Sequence, residues 1–159
     1  MSKKSIKLNL TETERQSLRK NKVKIADLTS YALDEAEVLL NASKERTQVL
    51  FALAAFQEIP SIGIKFAEDL VFLGYYSIAE LKGKNGAELV DAYEQKKGYW
   101  IDSCVEDQFR LAVHFADTKD TSKNWWDFTK ERKAFRAEHG YPANRPTTCW
   151  YDVYKKEQQ

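Results

Sequence analysis

The amino-acid sequence predicts an all-α fold, and three observations lead to this prediction. The 159 residues include only six glycines and three prolines, which favours long regular elements. Apolar residues recur with helical spacing in most segments, and no alternating run is long enough to predict a strand. A series of helix-capping sequences marks where the helices begin.

The 43% hydrophobic content is sufficient to bury one ordinary core or two small helical units that share one. The last part of the chain is richer in aromatic and basic residues than the part before it. We therefore expect one compact domain, with residues 1–118 as a helical core and residues 119–159 as an aromatic-rich extension that packs on this core.

The first half of the chain contains signals for five short helices. Thr11-Glu12-Thr13-Glu14 is a capping box that begins a helix extending to about Lys20. Ser43 caps a longer helix, which ends before Pro60 because the residue preceding a proline avoids the helical region. The remaining predicted helices of this half cover residues 25–30, 34–40 and about 64–73.

The second half of the chain contains one short turn and three helices. Ser77-Ile78-Ala79-Glu80 is a second capping box and begins the short turn. Gly98 and Gly140 end two of the helices, and Asp102 or Ser103 caps the helix between them. The three predicted helices cover residues 86–97, 103 to about 116, and 127–138.

The most specific local pattern is the segment Ile59-Pro60-Ser61-Ile62-Gly63, with Ala67 four residues later. Pro60 ends one helix and stiffens the turn. Gly63 permits either a backbone conformation forbidden to bulky residues or a close approach by another group. Ala67 lets two helices pack closely. This segment resembles the helix-hairpin-helix motif.

In helix-hairpin-helix motifs, backbone N–H groups of the turn and of the following helix N-terminus face a phosphate oxygen. The candidate amides in this sequence are those of Ile62, Gly63 and Ile64, with Ser61 before them and Lys65 after them. The resemblance therefore implies a sequence-independent contact with DNA, formed by residues Pro60–Lys65, that weakens as salt is added.

Two features of the hairpin segment leave a purely structural role open. Ser61 stands where the motif usually has its first glycine, and a left-handed backbone at serine would cost about 1 kcal/mol. Residues 57–70 also carry Lys65 against three acidic residues, which is little positive charge for a phosphate site. The alternative function is therefore a protein–protein interaction module that uses the helix-hairpin-helix as a scaffold.

Basic residues are concentrated around the first predicted turn, at Arg19, Lys20, Lys22 and Lys24. Residues 1–24 carry eight Lys or Arg and two acidic residues, whereas residues 25–118 carry eight and sixteen. A weak internal echo at an offset of 42 residues places Asn21 on Gly63. It is either chance in a helical sequence or a decayed duplication, and a duplication would give tandem helix-hairpin-helix-like units that straddle a duplex backbone. Alternatively, this charge cluster is a solvated helix surface.

The chain from Ser43 to Tyr151 resembles a bacterial family, the pathogenicity-locus proteins. The segments that carry the resemblance are 59–74, 77–83, 98–116 and 124–129. The extension from Thr129 to Trp150 is similar to that of a Firmicutes-type subgroup. The resemblance implies a helix-hairpin-helix fold and a DNA-binding role, and it provides no catalytic residue.

No cofactor, metal ion or enzymatic activity is expected from the remaining reactive side chains. Cys104, His114, His139 and Cys149 are the soft metal ligands, and none of them has the close spacing of a zinc site. Cys104 lies near a predicted helix N-terminus, which lowers a thiol pKa. A nucleophile also needs a base and an oxyanion site, and the sequence indicates neither.

The C-terminal third interleaves aromatic residues with Lys130, Arg132, Lys133, Arg136 and Arg145. Such surfaces can stack unpaired bases. We favour the alternative, in which the aromatic rings are buried as the extension wraps the helical core, because aromatic side chains bring much apolar area.

The predicted function is sequence-independent DNA binding in the cytoplasm. Two cysteines predict no disulfide framework, and the apolar run at 49–56 is too short to span a bilayer, so no membrane partner is expected. The net charge of +1 decides nothing by itself, since the two ends of the chain are basic and the middle is acidic.

Overall fold

Eight α-helices and three short 3₁₀ helices form the described part of the chain, residues 4–158, in a computed structural model. The α-helices are α1 (Glu12–Lys20), α2 (Leu33–Leu40), α3 (Lys44–Phe56), α4 (Ile64–Phe72), α5 (Gly86–Lys97), α6 (Ser103–Thr118), α7 (Thr129–His139) and α8 (Trp150–Gln158). The 3₁₀ helices are Ile25–Ser30, Ile78–Leu81 and Trp125–Phe128. Residues 4–158 contain no strand, only one β-bridge between Trp100 and Cys149, so the all-α prediction is confirmed.

The capping signals in the sequence fix most helix starts. The Thr11 side chain accepts from the Glu14 N–H, and the Glu14 carboxylate accepts from the Thr11 N–H, which completes the predicted capping box. The Ser43 hydroxyl likewise accepts from the Arg46 N–H, and Asp102 caps α6.

The chain divides into two units, residues 1–80 and residues 81–159. The predicted boundary between residues 118 and 119 falls inside the second unit. In that unit α6 packs on α5, on the 3₁₀ helix Trp125–Phe128 and on α7. The outer limits of the two predicted domains, residues 1 and 159, lie outside the described residues.

The first unit is a succession of packed helices, with α1 on α2, α2 on α3, and α3 on α4. The extended segment before α1 also belongs to this packing, because Leu8 and Leu10 are buried. The largest fully buried side chains of the unit are Leu28, Leu40, Leu50, Leu53, Phe56, Gln57, Ile59, Ile62 and Leu70.

In the second unit, α5 and α6 approach so closely that only glycine fits at Gly86. A Cβ atom added to Gly86 would lie 2.8 Å from the Arg110 Cα and 2.9 Å from its backbone nitrogen. Backbone atoms cannot move aside as a flexible side chain can. Gly86 therefore sets the distance between the two helices.

Carboxylates buried in the second unit are paired with arginines. Arg132 Nε lies 2.6 Å from the fully buried Asp107, and Arg136 Nε lies 2.9 Å from Glu106. Arg145 binds Glu94 through Nε and Nη2, at 2.8 and 3.0 Å. These pairs attach the segment after residue 128 to α5 and α6, because a buried charge without its partner is costly.

The structure contains an internal repeat that the sequence does not reveal. Helices α1 and α4 have nine residues each, and α4 begins at Ile64, 52 residues after α1 begins at Glu12. Each is followed by a left-handed residue, Lys22 at φ +57° and Gly74 at φ +96°, and then by a 3₁₀ helix.

The hydrogen bonds that close the two repeated helices are the same. Val23 N donates to Leu18 O at 2.9 Å, and Tyr75 N donates to Leu70 O at 3.0 Å. This six-residue bond around a left-handed residue defines the Schellman motif. The repeat therefore relates Leu18 to Leu70 at an offset of 52 residues.

The 42-residue offset predicted from the sequence is wrong. It places Asn21 on Gly63, which have φ values of −89° and −103°, so neither residue is left-handed. It also places Leu28 of a 3₁₀ helix on Leu70 of an α-helix. The error arose because the matching left-handed positions hold different residues, Lys22 and Gly74.

None of the helices in residues 4–158 is long and apolar enough to cross a membrane.

Candidate nucleic-acid interface

The turn between α3 and α4 is built on one hydrogen bond and one left-handed residue. Ile62 N donates to Ile59 O at 3.2 Å across Pro60 and Ser61. Ser61 has a φ of +61°. Proline at the second position and a positive φ at the third are features of a type II turn.

Ser61 therefore adopts a left-handed conformation, which a glycine would adopt without strain. The strain is about 1 kcal/mol, because a Cβ atom in the left-handed region approaches the following carbonyl oxygen. Both side chains that flank the turn, Ile59 and Ile62, are fully buried. Their burial fixes the turn against the core and offsets this strain.

Of the two reasons predicted for a glycine at position 63, a backbone conformation forbidden to other residues is not the one observed. Its φ of −103° and ψ of −170° are open to any residue. Apart from Gly63 and its two chain neighbours, no atom of the described residues lies within 4 Å of a Cβ built at Gly63, so close packing does not require glycine there either. Gly63 is exposed and leaves the backbone around it open to another molecule.

The amide hydrogens at the start of α4 are available. Gly63 is the N-cap of α4, and the N–H groups of Gly63, Ile64 and Lys65 donate to no described residue. The first N–H groups of a helix have no partner within it and carry partial positive charge. Gly63 and Lys65 are exposed and Ile64 is half-buried, so this edge faces solvent.

Ile62 was predicted to offer its amide to a phosphate, and the structure corrects this assignment. The Ile62 N–H is used within the turn, where it donates to Ile59 O at 3.2 Å. Its side chain is fully buried. Ile62 therefore shapes the turn, while the available donors begin at Gly63.

A lysine that sequence reasoning missed also contacts the turn. Lys4 Nζ donates to Ile59 O at 3.1 Å and to Ile62 O. Partial burial lowers the pKa of the Lys4 ammonium. These residues are 55 and 58 positions apart in the chain, and nothing in the sequence around Lys4 indicates the contact.

The segment around Lys4 is held in place by Gln57, which is 2% exposed. Gln57 Oε1 accepts from Lys7 N at 3.0 Å, and Gln57 Nε2 donates to Lys7 O at 2.7 Å. Arg46 Nη2 donates to Asn9 O at 2.8 Å. The extended chain before α1 is thus fastened beside the turn.

The structure places the predicted N-terminal basic residues on a different helix pair from the hairpin turn. Arg19, Lys20, Lys22 and Lys24 are exposed at the end of α1 and just after it. Helix α1 packs on α2, whereas the turn joins α3 and α4. Arg19 lies 3.9 Å from Glu12 of its own helix.

A family model described as pathogenicity locus matches residues 51–134. This match covers more than half of the 159 residues. The chain belongs to the pathogenicity locus family. No curated protein and no solved structure is significantly similar to it.

The part of the chain that matches the family contains the hairpin turn, helices α4–α6 and about half of α7. It leaves out Lys4 and the basic residues at 19–24. The turn is therefore a feature of the shared family region, while the lysine that contacts its carbonyls lies outside that region.

Cys104 differs from the expectation for a thiol near a helix N-terminus. Its pKa is raised, first because of partial burial and then because Asp102 is close to it. The prediction of a lowered pKa was wrong, since desolvation and the nearby Asp102 carboxylate both favour the protonated thiol. Among residues 4–158, no group of three or more His, Cys, Asp and Glu side chains could hold a metal ion.

Arginines of the C-terminal third are committed to carboxylates. Arg132, Arg136 and Arg145 each bind a buried carboxylate. Several aromatic rings nevertheless remain accessible, since Trp126 is 54% exposed and Tyr154 is 51% exposed. The arginines thus serve to attach this segment, and only part of its aromatic area is buried.

Proposed function

We propose that this protein binds DNA without sequence specificity, through the turn Pro60–Lys65 acting as a helix-hairpin-helix element. The donors are the N–H groups of Gly63, Ile64 and Lys65, and the acceptor is a backbone phosphate.

Two further features bear on where the protein acts and on its subgroup. The free cysteines Cys104 and Cys149 favour the cytoplasm as the compartment. The C-terminal extension favours a Firmicutes-type member of the family.

The observation that carries this proposal is the openness of the chain at Gly63. Backbone angles do not require a glycine there, and no described atom lies within 4 Å of the position that a Cβ would occupy. We propose that glycine at this position keeps the adjacent N–H donors accessible to an external group.

The turn is also rigid before any ligand binds. Buried Ile59 and Ile62, the bond between them and the left-handed Ser61 fix its conformation. Donors that are already ordered lose little entropy on binding a phosphate. A rigid turn that touches only the DNA backbone would bind any sequence, with an affinity that falls as salt rises.

Positive charge for this interface comes from Lys65 at the turn and from Lys4 beneath it. The exposed Glu58 and Glu68 oppose it. Arg19, Lys20, Lys22 and Lys24 form a separate basic surface, for which we propose a second contact with the same polyanion.

A second candidate function is a protein–protein interaction module. The observation in its favour is a groove of about 280 Å³ in the first unit, lined by Ile6, Phe51, Ala55 and Tyr76 among others. Tyr76 is 46% exposed. An apolar groove beside an exposed tyrosine suits an apolar peptide segment better than a phosphate backbone.

The variant pair Ile64→Pro and Ile64→Ala tests the role of the amides. Proline fits the first helical position, and the extended Gly63 is compatible with a following proline. Ile64→Pro removes one N–H donor, whereas Ile64→Ala shortens the side chain and keeps the donor. We expect Ile64→Pro to bind duplex DNA about tenfold more weakly than Ile64→Ala.

The measurement is fluorescence anisotropy with two labelled duplexes of unrelated sequence, at low and moderate salt. Circular dichroism establishes that both variants remain folded. Equal affinity of the two variants would contradict a contact between this turn and DNA. Absence of binding to either duplex at low salt would contradict DNA binding altogether.

A further inference from the structure

We propose that Lys4 is a positioning residue of the turn between α3 and α4, which covers the carbonyl oxygens of Ile59 and Ile62 at the two ends of the turn and so favours an anion at the neighbouring N–H donors. This inference rests on the proposed function for its effect on DNA. Its effect on the turn itself can be measured without DNA.

The first step is the geometry of the contact. One ammonium group reaches both Ile59 O and Ile62 O, the carbonyls at the two ends of the turn. Ile59 O also accepts the Ile62 N–H that closes the turn. Lys4 therefore links the first and last residues of the turn from outside the hairpin, in addition to the hydrogen bond that they share.

The second step is electrostatic. A carbonyl oxygen carries partial negative charge, so uncovered carbonyls next to Gly63 would repel a phosphate oxygen. The Lys4 ammonium occupies them with two hydrogen bonds, which are stronger for a charged donor. It thereby reduces the negative charge that these two carbonyl oxygens present to an anion at Gly63.

The third step is that the position of Lys4 does not depend on its own side chain. The buried Gln57 binds both backbone groups of Lys7. Leu8 and Leu10, which follow Lys7 in the chain, are buried. The segment thus remains docked when the Lys4 side chain is changed, so a Lys4 variant is expected to fold.

Lys7 provides a matched control within the same segment. Its backbone pairs with Gln57, but its side chain is exposed and makes no hydrogen bond or ion pair in the described part of the chain. Lys4→Met and Lys7→Met each remove one positive charge from the extended segment before α1. Only Lys4→Met removes the contact with the turn.

The first arm of the test is hydrogen exchange of the full chain without DNA. The Ile62 amide reports on the turn, and the Val23 amide, which donates to Leu18 O, is the reference in the same unit. We expect Lys4→Met to speed exchange at Ile62 about tenfold and to leave Val23 unchanged, while Lys7→Met changes neither. Unchanged exchange at Ile62 in Lys4→Met would overturn the positioning role.

The second arm is the salt dependence of DNA affinity, measured by anisotropy on a duplex. A positioning residue lowers affinity at every salt concentration without changing the slope, whereas a direct phosphate contact lowers the slope by about one. We expect Lys4→Met to bind about tenfold more weakly than Lys7→Met, with equal slopes.

The outcomes separate the two proposals. A reduced slope in Lys4→Met, or equal affinity of the two variants, would overturn the role of Lys4 at an interface that still binds DNA. If the wild-type chain binds no DNA, the proposed function fails, and faster exchange at Ile62 still supports Lys4 as the residue that holds the turn.

Discussion

At the scale of single residues, the candidate interface depends on backbone conformations more than on side chains. Ser61 carries the positive φ, Gly63 leaves the surface open, and Ile62 uses its amide within the turn. The sequence pattern predicted the turn, but it left open whether Ser61 is strained and included the Ile62 amide among the donors. Backbone angles and the hydrogen bonds of the turn distinguish the roles of these three residues.

Replacement of Ser61 by glycine should stabilise the protein. Glycine adopts a φ of +61° without strain, so the free energy of unfolding should rise by up to about 1 kcal/mol. Urea denaturation measures the change, with Ser30→Gly, outside the left-handed region, as the control. A loss of stability in Ser61→Gly equal to that in Ser30→Gly would contradict the strain at this turn.

Because of Glu14, the free energy of unfolding should decrease as the pH falls into the acid range. Hydrogen bonds from Arg46, at 2.9 and 3.0 Å, hold the pKa of this buried carboxyl below its ordinary value. A depressed folded-state pKa gives stability that is present above pH 4.5 and is lost as pH falls through the folded pKa.

Glu14→Gln should therefore lose about 2 kcal/mol at pH 7 and much less at pH 3. Glu12→Gln is the control, because Glu12 is exposed and lies 3.9 Å from an exposed Arg19. Chemical denaturation at several pH values measures both variants. A constant loss for Glu14→Gln from pH 7 to pH 3 would show that its charge is not involved.

At the scale of elements, helix boundaries followed from short-range chemistry. Capping by Thr11, Ser43 and Asp102, and termination at Gly98 and Gly140, depend on atoms within a few residues, so the sequence was sufficient to place them. The internal repeat was misaligned because it consists of hydrogen bonds and left-handed positions rather than of matching residues.

The closest contact between elements gives a prediction about packing. Gly86→Ala would place a Cβ 2.8 Å from the Arg110 Cα, so α5 and α6 must separate. We expect a loss of about 1–3 kcal/mol in the free energy of unfolding, as for other overpacked sites. Gly63→Ala, with an allowed φ and nothing within 4 Å, should change stability by less than about 0.5 kcal/mol.

Thermal unfolding monitored by circular dichroism compares the two alanine variants. Equal stability of Gly86→Ala and Gly63→Ala would mean that α5 and α6 do not meet as described.

At the scale of the whole chain, the side-chain contacts that sequence reasoning missed join residues far apart in the sequence. Lys4 meets the hairpin 55 residues away, and Arg145 meets Glu94 51 residues away. Pairings at such separations depend on how the helices pack, which no local pattern encodes. The same reason explains why Arg132, Arg136 and Arg145 looked available for nucleic acid and are instead committed to carboxylates.

The family match covers residues 51–134, which include the turn between α3 and α4. We propose the amides of this turn as donors to DNA. The segment before it contributes Lys4 and the basic residues 19–24. The turn thus lies within the family region, while the segment before that region carries most of the positive charge of the first unit.

The central claim is that the amides of residues 63–65 meet the DNA backbone, and a titration of the ¹⁵N-labelled full chain with duplex DNA tests it most directly. The account predicts that the largest chemical-shift changes fall on Gly63, Ile64 and Lys65, for two duplexes of unrelated sequence. Binding that leaves these three amides unchanged, with the shifts concentrated elsewhere in the chain, would contradict it.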